Sequence, residues 1–312
     1  MYKSLIFPGQ GSQRVGMGKD LYENFMVAKE VFENINDSIS MNLSKLMFEG
    51  PVEELNMTEN AQPAIMGVSI AILEVLKKEF NMDLNEIKYS AGHSLGEYTA
   101  LAATDCLGLR EVAKILKLRG KSMQSAIGQG EGAMAALIGP DIHEAKELIK
   151  EVPINFVCEI ANHNLHNQIV LSGDSKAIDI AISIAKEKNL KAIKLNVSAP
   201  FHCKYMIKTA EELKIKFNEL KFKKPLVPII CNYTAEVFKD IDQLKSALIH
   251  QTYSTVRWYE SICLMLEKGT DTFIEVGYGS TLTNMIKRIK VNKEFETLTI
   301  SNTENIENYS KV

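Results

Sequence analysis

AGHSLGEYTAL, residues 91–101, sets Gly92-His93-Ser94-Leu95-Gly96 between two segments of opposite character. Upstream, Ile87 to Ala91 (IKYSA) suits a short strand. Downstream, Leu95 to Ala103 is rich in helix formers. Glycine two residues to either side of a serine lets a strand turn sharply into a helix, because no Cβ stands where the two backbones approach. The serine hydroxyl is then exposed at the tip of the turn. The Leu95 N–H sits at the helix start, where it points to the place an oxyanion would form. Two readings of Ser94 stay open on these residues: a nucleophile, or a small residue in a tight turn. His93 is adjacent in sequence, so its side chain is expected to point elsewhere, and it reads as structural.

Outward from this stretch, strand and helix patterns alternate, which points to an α/β protein. Ser4–Phe7 reads as a strand and Pro63–Phe80 as a long, mostly apolar, buried helix. Phe273–Val276 reads as another strand, followed by a Gly-x-Gly turn and a helix over Thr281–Lys290, and the polar residues Thr303–Val312 are expected to fray. The middle of the chain differs. After the glycine-rich residues 128–132 come a strand (Ala133–Ile138), a helix (Ile142–Lys150), two strands (near Asn155–Ala161 and Gln168–Ser172), a helix (Ser175–Lys188) and a last strand (Ala192–Val197) with Ile193, Leu195 and Val197 on one face. That order, β-α-β-β-α-β, is the ferredoxin-like pattern. It reads as a subdomain over residues 128–198 inserted into a larger core of residues 1–127 and 199–312, with a substrate cleft expected between them.

Composition sets the bounds. The chain has 312 residues, 46% hydrophobic and 24% charged, an ordinary globular make-up able to bury one large core or one large and one small. A net charge of −3 gives no basic footprint for nucleic acid. Five scattered cysteines without a Cys-x-x-Cys pair argue against a disulfide framework and against zinc. The N-terminus has no signal-peptide layout and no apolar run reaches membrane-spanning length. The expectation is a cytoplasmic monomer, off the membrane.

A nucleophilic serine needs a base. Of the six histidines, His143 opens a charged helix and reads as exposed, whereas His202 follows Ser198-Ala199-Pro200-Phe201 where the subdomain returns to the core, at the expected cleft. A satisfied structural histidine is the alternative. In the helix Leu109–Ser125, at ~100° per residue, Val112, Ile115, Leu116 and Met123 share one face and Lys114, Lys117 and Lys121 the other. Arg119 falls within the apolar face. A buried guanidinium keeps its proton and demands an anion or several carbonyls. An internal salt bridge and a substrate carboxylate both answer that demand. Gly9-Gln10-Gly11-Ser12-Gln13 is a flexible glycine turn without the Gly-Lys-Ser/Thr of a P-loop.

Taken together, Phe7-Pro8-Gly9-Gln10-Gly11-Ser12-Gln13, Gln62-Pro63, Gly92 to Glu97, Arg119-Gly120, Gly132 to Ala135, Ser198 to His202, and Gln251 with Val256-Arg257-Trp258 resemble, in order, the malonyl-CoA:acyl carrier protein transacylase family, including the discrete acyltransferases that serve polyketide synthases in trans. The resemblance covers nearly the whole chain. It implies a hydrolase-like α/β core with a parallel sheet, carrying the ferredoxin-like subdomain, and transfer of malonyl from malonyl-CoA to the phosphopantetheine thiol of an acyl carrier protein in fatty-acid or polyketide synthesis. No metal or redox cofactor is implied. By the resemblance, Ser94 is the acylated nucleophile and His202 its base, oriented by the backbone carbonyl of Gln251. Gln10 and the Leu95 amide form the oxyanion hole, and Arg119 binds the malonyl carboxylate. Gln62, His93 and Asn162 line or brace the site, and Phe201 accompanies a preference for malonyl over methylmalonyl. The chain departs from the family at Ser254-Thr255-Val256 (usually Asn-Pro-Val), Asn164-Leu165-His166 (commonly Asn-Ser-Pro) and Gly277-Tyr278-Gly279 (usually Gly-Pro-Gly). A hydrolase of the same fold that clears acyl groups from carrier proteins is the alternative, and it has no need of Arg119.

Overall fold

The computed structural model describes residues 2–128, 130–197, 199–291 and 293–309. Ser198, at the expected edge of the inserted unit, and the last three residues lie outside this set. Among the described residues the strands, in chain order, are β1 (Lys3–Phe7), β2 (Ile87–Gly92), β3 (Gly132–Ile138), β4 (Cys158–Leu165), β5 (Gln168–Asp174), β6 (Lys191–Lys194), β7 (Thr272–Val276) and β8 (Glu296–Ile300). They form two sheets, ordered β2-β1-β7-β8 and β4-β5-β3-β6. In the first every pair is parallel; in the second every pair is antiparallel.

The parallel sheet is covered on both faces, so its central strand reads as a continuous apolar run: Leu5, Ile6 and Phe7 are all fully buried. One face packs on the helices Met26–Ile39, Thr58–Glu79 and Leu95–Ala103, the other on Trp258–Glu267 and the residues around Leu282 and Ile286. Thr58–Glu79 is apolar nearly all round because it is enclosed on nearly every side. It begins five residues before the expected Pro63, which lies in its second turn; the polar run Thr58–Gln62 hides that first turn from a hydrophobic pattern.

The antiparallel sheet carries its helices, Ile142–Lys150 and Ser175–Glu187, on one face. In β3, Ala133, Ala135 and Leu137 face those helices, while Met134 and Ala136 face Met123, Phe201 and Met206 of the core. This is the two-residue alternation of a strand buried on both sides. β4 runs later than expected, from Cys158 to Leu165, and thereby carries Asn162 to the cleft. β6 ends at Lys194 rather than at Val197: Ile193 faces solvent, and Leu195 and Val197 leave the strand to line the cavity. Two further expectations are corrected. The helix after β7 stops at Ile286, four residues before Lys290. Thr303–Tyr309 is helical rather than frayed, because Ile306 is buried and the Thr303 amide and hydroxyl both donate to Asp20.

A clasp joins the two sheets. The Val256 amide donates to the Ala161 carbonyl (2.8 Å) and the His163 amide to the Val256 carbonyl (2.9 Å), while the Thr255 hydroxyl reaches the Ile160 carbonyl (2.6 Å). On the other side of the cleft the Lys204 amide donates to Glu159 and the Tyr205 hydroxyl to Asp174. The antiparallel sheet therefore grips both the segment after Gln251 and the segment after His202. No helix of the described residues is long and apolar enough to cross a membrane.

Candidate active site

The chain turns from β2 into helix Leu95–Ala103 through Ser94, whose backbone has φ 54° and ψ −104°. The glycines make this turn feasible. A Cβ on Gly92 would stand 1.9 Å from the Gly96 carbonyl carbon, and one on Gly96 would stand 2.2 Å from the Phe7 carbonyl oxygen. No side chain fits at either place, so the strained serine is the tip of an elbow built on two bare backbones. Asn232 stitches the elbow closed: its Oδ1 accepts the Ser94 amide (2.8 Å) and its Nδ2 donates to the Gly92 carbonyl (2.8 Å). The Gly96 and Glu97 amides turn back to the His93 and Ser94 carbonyls. The Leu95 amide between them has no acceptor among the described residues, whereas the Leu95 side chain is buried in the core.

His202 Nε2 lies 2.7 Å from Ser94 Oγ, and its Nδ1 lies 2.8 Å from the Gln251 carbonyl oxygen. A carbonyl only accepts, so Nδ1 carries the hydrogen and Nε2 is free to take the serine proton. His202 itself sits at φ 59°, a second strained backbone beside the first. Burial, and after it the positive charge of Arg119, hold the imidazole pKa down to about 3, so the ring is neutral and able to accept a proton.

Arg119 is brought in by a close helix crossing. A Cβ on neighbouring Gly120 would stand 2.5 Å from Glu59 Cα, so glycine there lets helix Leu109–Gln124 lie on the start of Thr58–Glu79. The guanidinium is 1% exposed and lies 5.0 Å from the centre of the Tyr98 ring. It donates to Gln62 Oε1 (2.9 Å), Gln251 Oε1 (2.9 Å) and Ser94 Oγ (3.1 Å). No carboxylate lies within ion-pair distance of it among the described residues, which removes the direct internal salt bridge as its explanation.

These groups open onto a cavity of about 1000 Å³ between the two sheets. Gln10 is exposed on its wall; Asn162 and Phe201 line it and are buried. His93 turns away from Ser94, as its adjacency requires. Its Nε2 pairs with Asn164 Oδ1 (2.8 Å), and its ring meets Trp258 edge-on.

Two residues that sequence reasoning left without a role stand at the centre of the hydrogen-bond network. One is Asn232, whose signal, a polar residue ending the short run Val227–Cys231, looks like an ordinary turn. The other is Glu97, fully buried behind the elbow. The reasoning that singled out Arg119 applies to it equally: the helix Leu95–Ala103 has almost no polar face, so its one acid has nowhere exposed to go.

Comparison with known proteins agrees with this architecture. Residues 4–305 match the family profile described as the acyl transferase domain. The malonyl CoA-acyl carrier protein transacylase of Bacillus subtilis (strain 168) is 42% identical over 308 residues, 97% of this chain and 95% of that protein. Among solved structures, the acyl-carrier-protein-S-malonyltransferase of Bartonella henselae superposes with a TM-score of 0.96 at 40% identity, covering 100% of this chain and 99% of that one. A malonyl-transacylase solved in complex with its type II PKS acyl-carrier protein superposes with a TM-score of 0.95 at 33% identity, covering 100% of this chain and 99% of that one. The profile runs unbroken from the first strand into the last helix and takes in both sheets, and the chain belongs to the acyltransferase domain family.

Proposed function

We propose that this acyltransferase moves a malonyl group from malonyl-CoA to the phosphopantetheine thiol of an acyl carrier protein, through an ester on Ser94. The observation that carries the reading is Arg119: a buried guanidinium that meets only amide and hydroxyl oxygens and donates to the reacting oxygen itself. A carboxylate one carbon beyond the reacting carbonyl is the group such a cation lacks. The names of the similar proteins point to the same substrate pair.

In the first half-reaction Ser94 Oγ attacks the thioester carbonyl carbon while His202 Nε2 takes its proton. The Gln251 carbonyl holds the ring in the required tautomer and supports the imidazolium that forms. Negative charge grows on the former carbonyl oxygen, where the unspent Leu95 amide and Gln10 act as donors. The C–S bond then breaks, and the departing CoA sulfur takes the proton from His202. In the second half the carrier's thiol gives its proton to His202 and its sulfur attacks the ester carbonyl. Ser94 Oγ leaves and recovers that proton. Gln62 and Gln251 hold the Arg119 fork in place throughout.

Mixing the protein with malonyl-CoA and then with holo-carrier protein, each stage read by intact-protein mass spectrometry, tests this. A malonyl adduct on Ser94 that passes to the carrier is the expected result. Release of free malonate in place of carrier loading would favour the hydrolase, and no adduct at all would end the donor assignment.

A further inference from the structure

Glu97 takes part in none of these steps. It has no solvent exposure. Its Oε2 accepts from Gln251 Nε2 (2.9 Å) and from the Asn232 amide (3.2 Å), and its Oε1 has no hydrogen-bond partner. On the far side of the same Gln251 carboxamide, Oε1 accepts from Arg119. One amide thus spans a buried acid and a buried cation. Its orientation is forced. Arg119 offers only donors and must meet the oxygen, whereas an ionised Glu97 and the Ser94 carbonyl offer only acceptors and must meet the NH₂ group.

We propose that Glu97 is a positioning residue of this site: it locks the Gln251 carboxamide toward Arg119 and serves as the counter-charge of Arg119 through that amide, yielding the role to the substrate's carboxylate by taking up a proton on its free Oε1. The second clause rests on the reading of Arg119 as the seat of the malonyl group. Two carboxylates around one guanidinium in a water-poor site disfavour each other's ionised forms. The malonyl acid is the stronger of the two, so the proton goes to Glu97. Burial already lifts the Glu97 pKa to about 7, against the lowering pull of Gln251, Asn232 and Arg119. The other titratable groups facing it are the Cys231 thiol and the Tyr98 phenol, both pushed up by burial and both protonated near neutrality. His202, held low, stays neutral in the same range.

The test compares malonyl-CoA with acetyl-CoA, which shares the CoA phosphates but lacks the carboxylate. In the wild type, the malonyl-to-acetyl ratio of kcat/KM for acylation should fall as pH rises from 6 to 8, by up to about tenfold per pH unit once Glu97 ionises. In Glu97→Gln, which keeps an oxygen for Gln251 but cannot titrate, the ratio should be flat. Calorimetry of Ser94→Ala protein in two buffers of different ionisation enthalpy should show roughly half a proton taken up per malonyl-CoA at pH 7, in excess of acetyl-CoA, and none after Glu97→Gln in that background. A flat wild-type ratio, or the same slope and proton count in Glu97→Gln, overturns the proposal. The wild-type slope needs no variant and decides the matter if Glu97→Gln does not fold. An adduct on wild-type Ser94 without these signatures removes the role of Glu97 alone, whereas no malonyl adduct removes the donor reading and the coupling together.

Discussion

Replacing Arg119 by alanine separates a malonyl transferase from its rivals. In the loaded enzyme the guanidinium would face the malonyl carboxylate in a site where the arginine is 1% exposed and has no carboxylate within ion-pair distance among the described residues. Removing one partner of a buried, charge-assisted pair costs ~2–5 kcal/mol, chiefly because the other charge stays buried and unpaired. At 1.4 kcal/mol per decade that is roughly thirtyfold to several thousandfold in malonyl acylation. Acetyl-CoA presents no carboxylate, so this loss does not apply to it. The Gln62 and Gln251 side-chain oxygens lose a donor, but the space vacated by the side chain admits water to them. His202 meanwhile loses a neighbouring positive charge, so its pKa rises from about 3 and it becomes the stronger base. Acetyl acylation should therefore fall far less than malonyl acylation, or rise, while the acid limb of its pH profile moves upward, since the neutral imidazole is the active form. Single-turnover acylation by quench and intact-mass detection, with both donors across pH, reads every part of this. Arg119→Lys should restore only a fraction, because an ammonium lacks the planar fork. Equal loss with both donors in a variant that still melts cooperatively would refute the reasoning.

Ser94→Ala should abolish the covalent adduct and keep the fold, and His202→Ala should slow acylation by roughly 10²–10⁴; a persisting adduct, or near-normal single turnovers, would move those roles elsewhere. Phe201 lines the cavity beside His202, so Phe201→Ala should narrow the preference for malonyl-CoA over methylmalonyl-CoA, which is worth ~1–3 kcal/mol for one methyl group; an unchanged ratio in competition assays would exclude it as the selector. Gly92→Ala should fail to give a cooperatively melting protein, because the added Cβ falls 1.9 Å from the Gly96 carbonyl carbon; a normal melt and normal acylation would refute the account of the elbow.

Much of this was legible in the chain because the decisive features are local. The elbow is dictated by glycines within four residues of one another, and the buried Arg119 is visible as a charge on the wrong side of an amphipathic helix. The β-α-β-β-α-β order survives in sequence because short apolar strands stand apart from helices that carry apolar stripes. What escaped depends on partners far along the chain. Asn232 stitches the elbow from 138 residues away, and nothing near it distinguishes it from a turn residue. The helix Thr303–Tyr309 is polar by composition and is held by Asp20, 283 residues earlier. The later part of β4 escapes a hydrophobic pattern because Asn162 and Asn164 are polar on a face that lines a cavity rather than a core. Glu97 was visible all along, on the same grounds as Arg119.

The clasp between the sheets bears on how such a protein can be recombined. His202 and Gln251 both lie outside the antiparallel sheet, yet the segments that follow them are pinned to it, one by Glu159 and Asp174, the other by the backbone edge from Ala161 to His163. A chimera that takes residues 132–194 from a relative will inherit that relative's cavity wall, and it will also reset the spacing between His202 and Ser94. A graft that keeps these pins can exchange acyl selectivity and remain an enzyme. A slip of a single residue along β4 against Val256 turns every side chain of that edge to its other face and pulls His202 out of line with Ser94, however well the new wall fits its substrate.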